Sequence, residues 1–374
     1  MHLKKILSLF PFILILSFIS VDKTFSKENV VIEKILFRDA NTESDKFVKI
    51  LAIDGGGIRG IIPAIILKEI ESRLKNKKNL SECFDVMAGS STGAIIVLLL
   101  NVPDEKNKPK FQMSDIVDLY LKFGSEIFYQ SLWQRIVTMN GWLGAKYSED
   151  NLVKSLQKYF NDTQLKDSLT EVLIPTYDIS RDQTIFFKSS YAKEDNARNF
   201  YFKDIAYAAT AAPTYFKPAT IKDLGGKNQY VLIDGGIAVN NPSLSASIHA
   251  LKTFSKQKNF LIVSIGCGTN NDSTLGIFSP GSKKIKNSGK IMWAENIVSI
   301  ILDAGNDVVD YLIQNAFVPD KIKMYFRFQE VIDPKHDTID NVSKDNIAAL
   351  EQYARDLIKK HDAEINHIAQ ILDD

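Results

Sequence analysis

Ser91 stands at the centre of Gly89-Ser90-Ser91-Thr92-Gly93, a turn that follows the apolar run Phe84-Asp85-Val86-Met87-Ala88. A G-x-S-x-G turn between a strand and an apolar helix is the setting that exposes a serine hydroxyl as a nucleophile. So sharp a turn leaves no room for bulky side chains two residues either side of the serine, which suits Gly89 and Gly93. Ala94 to Leu100 continue as a helix whose positive dipole end falls near Ser91. Such a field favours a developing oxyanion by up to about 2 kcal/mol when partly buried. A second glycine turn lies upstream, where Val48 to Asp54 run into Gly55-Gly56-Gly57-Ile58-Arg59-Gly60. Three consecutive glycines weaken a loop unless the backbone itself must approach a ligand. Together the two turns point to acyl transfer through a serine, with a backbone oxyanion hole. One preorganised donor in such a hole is worth roughly 2.7–4 kcal/mol.

Each piece taken alone has another meaning. G-x-S-x-G also describes a packed strand–helix turn. Residues 55–60 also fit G-x-G-x-x-G, a dinucleotide-binding loop. A dinucleotide loop needs an acidic residue about 20 positions further on, at the end of the next strand. Here the next strand ends in Ala88 and opens into the serine turn, so the nucleotide alternative fails at that point.

A serine nucleophile needs a base. The chain has five histidines: His2, His249, His336, His361 and His367. His2 lies in a leader-like segment, His336 in a polar loop, and His361 and His367 in a charged helix pattern. His249 sits in Ser243 to Leu251, which reads as an ordinary helix with a solvated or core histidine. The stronger candidate is a carboxylate. Tyr230 to Ile233 reads as a buried strand ending in Asp234-Gly235-Gly236, which predicts Asp234 at the carboxyl edge of a parallel sheet, the edge where ligand sites lie. An aspartate is a weak base in water, with a pKa near ~3.9. In a dry pocket desolvation raises its proton affinity. A turn aspartate capping the next segment is the structural alternative.

The order G-G-G-x-R-G, G-x-S-x-G, D-G-G resembles that of the patatin-like phospholipase family, which is itself similar to the catalytic core of the cytosolic phospholipases. Ala209-Thr210-Ala211-Ala212-Pro213-Thr214-Tyr215-Phe216 and Asn240-Asn241-Pro242 resemble the family's segments before and after the aspartate. The resemblance covers about residues 48–270 and continues more loosely through Asn341 to Leu357. It implies Ser91 as nucleophile and Asp234 as general base. It implies an oxyanion loop shaped by Gly55, Gly56, Gly57 and Gly60, with Arg59 at the family's basic position orienting it. That arginine runs against local usage, since the chain has 8 Arg against 38 Lys. Gly235-Gly236 stands where many members have Gly-Ala. The implied activity is a lipid acyl hydrolase of phospholipase A type on membrane phospholipid, working through an acyl-enzyme without metal or cofactor. A carboxylesterase, an acyltransferase or a non-catalytic lipid-binding or storage protein on the same fold stays open, and the sequence names no activator.

The elements that must position these residues alternate. Strands are predicted at 48–54, 84–88, 172–178, 184–188, 230–233 and 260–265, and helices at 61–74, 94–100, 243–251, 294–317 and 344–371. Alternation of this kind predicts an α/β three-layer sandwich around a mostly parallel sheet. Residues 1–26 have the n-region, apolar run and small residues of a secretory signal peptide, with an uncleaved N-terminal anchor as the alternative. The run of about 14 residues from Ile6 to Ile19 is short for a span, which needs roughly 20. Residues 27–47 read as an extension, 48–270 as the catalytic domain, and 271–374 as a mainly helical part packed on it. Lys, Ile and Asn bias together with the leader points to an exported bacterial protein. A formal net charge of +1 gives no global field for nucleic acid. Cys83 precedes its strand and Cys267 follows one, which predicts opposite sheet edges and no disulfide. No Cys/His metal spacing or calcium loop is present in the sequence. Two stretches carry the aromatic or basic residues that suit peripheral membrane contact. One is Phe128 to Tyr147, with Trp133, Trp142 and Leu143. The other is Lys283 to Lys290, followed by Trp293. A core role for those aromatics is the alternative.

Overall fold

The run before the first glycine turn is apolar without a break at Ile50 to Ile53, which is what a strand covered on both faces requires. In the computed structural model, which describes residues 47–127, 145–256, 259–269, 300–301, 304–317 and 322–374, this run forms β1 (Phe47–Ile53). It lies between β2 (Val86–Gly89) and β7 (Asn259–Ile265), parallel to both. β3 (Glu171–Asp178) continues the parallel sheet beside β2, and β8 (Ile322–Phe328) beside β7. Three shorter strands run the other way. β4 (Gln183–Lys188) and β6 (Gln229–Asp234) pair antiparallel with β3, and β5 (Ala219–Lys222) pairs antiparallel with β6.

Helices cover both faces, as a three-layer α/β sandwich demands. On one face Val48, Ile50, Val86, Ala88, Leu173, Phe260 and Ile262 pack with Ala246 and Ala250 of the helix Ser243–Thr253 and with Ile313. α3 (Thr92–Leu100) packs on β1, β2 and β3 with none of its residues in that cluster, and so covers the other face. α1 (Ile61–Ser72) lies against the C-terminal helix Lys344–Lys360 and against α4 (Met113–Ile127). The predicted single helix over 344–371 is two, Lys344–Lys360 and Asp362–Asp373, broken at His361. The C-terminal part also contributes β8, a strand the sequence did not announce.

The sheet corrects one expectation that matters for chemistry. Asp234 is not at the carboxyl end of a parallel strand. β4 follows one edge of β3, pairing with it from Leu173 to Asp178. On the opposite edge β2 reaches only as far as Leu173, and β6 pairs with Thr176 to Asp178 from the other direction. β2 and β6 therefore meet end to end along β3. The change of partner falls around Pro175, which has no N–H to donate to a ladder.

Cys83 and Cys267 are both buried, beside opposite ends of β1, and no disulfide joins them. Of the two aromatic or basic stretches suited to membranes, 128–144 and 283–293 lie outside the described residues. Tyr147, at the end of the first, is buried and donates to Asp340 Oδ2 at 2.7 Å. The leader and almost all of the extension, 1–46, also lie outside them. Among the described residues no helix is long and apolar enough to cross a membrane.

Gly235 closes the strand junction. Its backbone is ordinary, at φ −67° and ψ −20°, yet a Cβ there would stand 2.1 Å from the carbonyl oxygen of Pro175. Gly235→Ala must therefore push β6 from β3, and overpacking of this kind costs typically about 1–3 kcal/mol. The urea midpoint should fall accordingly at unchanged slope; a midpoint equal to the parent's would show that the junction tolerates a methyl group.

Candidate active site

β2 delivers the serine. After Gly89 the chain turns so tightly that Ser91 adopts φ 49°, ψ −120°, a conformation that costs a non-glycine residue of order 1–3 kcal/mol. The flanking glycines permit close packing. A Cβ on Gly89 would lie 2.2 Å from Gly93 O, and one on Gly93 would lie 2.3 Å from Ile53 O. The turn thus sits directly on the end of β1, beside the glycine loop. α3 then runs away from Ser91, whose position caps its positive end.

β6 delivers the carboxylate. Ser91 Oγ donates to Asp234 Oδ2 at 2.6 Å, and the amide of Gly236 donates to Oδ1 at 2.8 Å. The Asp234 amide donates to Ala211 O at 3.0 Å, which explains the Ala209–Phe216 motif as the ledge on which the aspartate rests. Asp234 is 2% exposed and Ser91 9%. Burial pushes the Asp234 carboxyl up to about 6, against the opposing pull of its bonds from Ser91 and Gly236.

The glycine loop closes over this pair. Gly55 N donates to Asn240 O at 3.2 Å, Ile58 N to Ile339 O at 2.8 Å and Arg59 N to Gly56 O at 3.1 Å. These amides are engaged, whereas Gly56 and Gly57 both line the cavity over Ser91. Thr92, the first residue after the serine, lines it too. Gly57 has φ +59°, a left-handed conformation that glycine adopts without penalty. Gly60 makes room rather than donating: a Cβ there would lie 2.3 Å from Thr92 Oγ1 and 2.7 Å from the Tyr120 hydroxyl. Arg59 is buried and is not among the described residues lining the cavity; it pairs with Asp337 and reaches Gly56 O and Gly268 O at 3.4 and 3.5 Å.

The cavity encloses about 750 Å³, part of it open to solvent. Beyond Ser91, Asp234 and Thr92 its wall is dominated by Ile58, Ile95, Leu119, Leu152, Phe216 and Ile339. An apolar slot with a few convergent polar groups at one end is the usual form of a small-ligand site. Among the described residues that line it, none is a histidine. His249 lies at the amino end of β3, its Nε2 2.7 Å from Glu171 Oε1, and so belongs to the core. His336 pairs through Nδ1 with Asn346 Oδ1. Two residues escaped sequence reasoning, and the part played by a third, inside a quoted motif, was not read. Tyr120 bonds Thr92 through both its carbonyl and its hydroxyl. Ile339 walls the cavity while its carbonyl holds Ile58. Asn240 holds Gly55, and only for Asn240 was there a signal, the Asn-Asn-Pro run.

A family model described as patatin-like phospholipase matches residues 51–247, a span containing the two glycine turns and Asp234. The chain is 31% identical to patatin-like protein 2 of Oryza sativa subsp. indica, across 89% of this chain and 90% of that one. It is 34% identical to patatin-like protein 3 of Arabidopsis thaliana, across 86% and 83%. It is 31% identical to patatin-T5 of Solanum tuberosum, across 84% of each.

The buried carboxylate has a consequence for stability. A carboxyl lifted from 3.8 to about 6 binds its proton more tightly folded than unfolded. The folded state is therefore penalised above pH 6 and relieved as pH falls toward 4. Asp234→Asn should raise unfolding free energy at pH 8 by up to roughly 3 kcal/mol, with the gain shrinking to nothing near pH 4. Denaturant titrations of parent and variant at both pH values would check this; an equal difference at the two would remove burial as its cause.

Proposed function

The chain belongs to the patatin-like phospholipase family, a family of lipid-ester hydrolases, and from that premise we propose that it cleaves glycerophospholipid esters as a phospholipase A through a Ser91–Asp234 dyad. The observation that carries the proposal is the 2.6 Å bond from Ser91 Oγ to Asp234 Oδ2 at the polar end of an apolar cavity roofed by backbone amides.

The chemistry follows from the geometry. Ser91 Oγ attacks the ester carbonyl carbon as its proton passes to Asp234 Oδ2. The carbonyl oxygen becomes an oxyanion facing Gly56, Gly57 and Thr92, with the N-terminus of α3 behind it. Donors held in advance at this point stabilise the transition state more than the ground state. Collapse breaks the ester C–O bond, and the proton on Asp234 goes to the leaving alkoxide. Water then attacks the acyl-enzyme, gives one proton to Asp234, and the second tetrahedral intermediate expels Ser91 Oγ, which takes that proton back. Asp234 serves both steps because burial brings its pKa to about 6, nearer the working pH of a general base. The Gly236 amide on Oδ1 fixes the carboxyl so that Oδ2 stays aimed at the serine. The apolar wall supports an acyl chain as the group that enters. Export by the 1–26 leader would deliver the enzyme to membrane lipid.

Ser91→Ala and Asp234→Ala should each lower kcat/KM on a glycerophospholipid by about a thousandfold or more. For the parent, kcat/KM should fall tenfold per pH unit below about pH 6, as the base takes up its proton. Mass spectrometry of products from a mixed phospholipid panel should show free fatty acid and lysophospholipid with the parent and neither with Ser91→Ala. Acyl transfer to an added alcohol without free acid would make the protein an acyltransferase, and an inert parent would leave it a lipid-binding protein.

A further inference from the structure

The glycine loop has almost no side chains with which to hold itself, yet its amides must be fixed to within a fraction of an ångström. Two buried charges bracket it, Asp54 on one side and Arg59 on the other, 1% and 3% exposed. Each is paired with a residue of the C-terminal part, outside the span matched by the family model. Asp54 takes two bonds from the guanidinium of Arg327 on β8, at 3.0 and 2.6 Å. Arg59 pairs with Asp337, in the loop after β8, with side-chain exposures of 3% and 14%.

The second pair reaches a particular amide. Arg59 Nε donates to Gly56 O at 3.4 Å and Arg59 N donates to the same oxygen at 3.1 Å. The carbonyl of Gly56 and the N–H of Gly57 belong to one trans peptide plane and point in opposite directions. With Gly56 O held by Arg59, the Gly57 N–H faces the opposite way, on a residue that lines the cavity over Ser91. Asp337 sets where the guanidinium sits, and two residues later Ile339 O accepts from Ile58 N at 2.8 Å, fixing the next peptide. Asp340, next in the chain, accepts from Tyr147 Oη at 2.7 Å and pairs with Lys146, tying this segment down.

On the basis of the acyl-hydrolase function above, we propose that Asp337 is a positioning residue for catalysis. It acts through Arg59 and the Gly56 carbonyl to aim the Gly57 amide at the oxyanion. It never touches substrate. Its removal must therefore appear in the turnover step and not in substrate binding.

The test compares the full-length parent with Asp337→Asn, Asp337→Glu, Arg59→Gln and the Arg59→Gln/Asp337→Asn pair, using a soluble short-chain aryl ester. Asp333→Asn serves as a control for charge on the same loop. Ser91 labelling by a fluorophosphonate and a thermal midpoint are recorded for each. Asp337→Asn is expected to lower kcat about tenfold or more, below the 10²–10³ of a donor lost outright, with KM within about twofold and slower labelling of Ser91. Asp337→Glu should regain part of the loss and Asp333→Asn should match the parent. The paired variant removes both members of the ion pair, and should lose no more than Arg59→Gln alone because the two residues act in one chain. A parent-like kcat for Asp337→Asn overturns the proposal, as does a loss carried by KM, or one that follows the thermal midpoint and is absent in a folded paired variant. A parent that hydrolyses no ester and is not labelled at Ser91 overturns the acyl-hydrolase function itself, and this proposal with it.

Discussion

Two strands ending head to head along a third is the constraint on which the chemistry of this chain depends. β2 stops at Gly89 because the chain must turn at Ser91, and it pairs with β3 no further than Leu173. The rest of that edge of β3 is open to another strand, and β6 takes it antiparallel. Thr176, the partner of Asp234, lies three residues beyond Leu173, the partner of Ala88. At about 3.3 Å per residue that separation is near 10 Å, which the turn from Gly89 to Ser91 spans from one side. A parallel strand in the same place would carry its last residue to the far tip of β3, away from the serine. Direction of pairing, more than proximity in sequence, brings an acid 143 residues away into contact with a hydroxyl.

The same junction concentrates destabilising features. Ser91 is held in a strained backbone conformation, and Asp234 keeps a carboxyl in a place that favours its neutral form. The bonds from Ser91 and Gly236 relieve the second only in part. What offsets the two features is the apolar mass around them: β1 and β7 are buried along nearly their whole length, and α3 is apolar on all sides. Large buried area tolerates a few kcal/mol of strain at one point, and function is commonly sited where it is tolerated. A histidine would take up the serine proton more readily in water. In the proposed dyad the dry apolar surroundings of Asp234 are part of what makes it a base.

How much of this could be read in the chain follows from what each residue type does locally. Gly89, Gly93, Gly55, Gly56 and Gly57 announced the turns because glycine at such density weakens a fold unless the backbone needs the room. The strands around them were legible from unbroken apolar runs. The direction of β6 was not, because burial and period look the same whichever way a strand points. Ser91 and Asp234 were legible as a pair only through the order of three motifs. β8 was missed although Ile322 to Phe328 alternates, because Lys321 and Lys323 make it resemble a solvated segment. The break at His361 was invisible for a related reason, since Lys359 to Asp362 has neither glycine nor proline. Tyr120 and Ile339 carry no motif, and only the packing of α4 and of the 333–341 loop brings them to the cavity.

A loop built from glycine is easy to place near a ligand and hard to keep still, since glycine loses more backbone freedom on ordering than any other residue. The structure answers with holds from outside the loop: Asn240 O on Gly55 N, Cys267 Sγ on Asp54 O at 3.4 Å, and Ile339 O on Ile58 N. They come from chain segments near 240, 267 and 339. The boundary at 270 suggested by sequence resemblance therefore has no counterpart in the mechanics of the site. The sheet runs on into β8, Arg327 of β8 grips Asp54, and the loop beyond it grips Arg59. Ser91 and Asp234 lie within one continuous stretch of matched sequence, whereas the glycine loop beside them is held in part by the stretch that follows it.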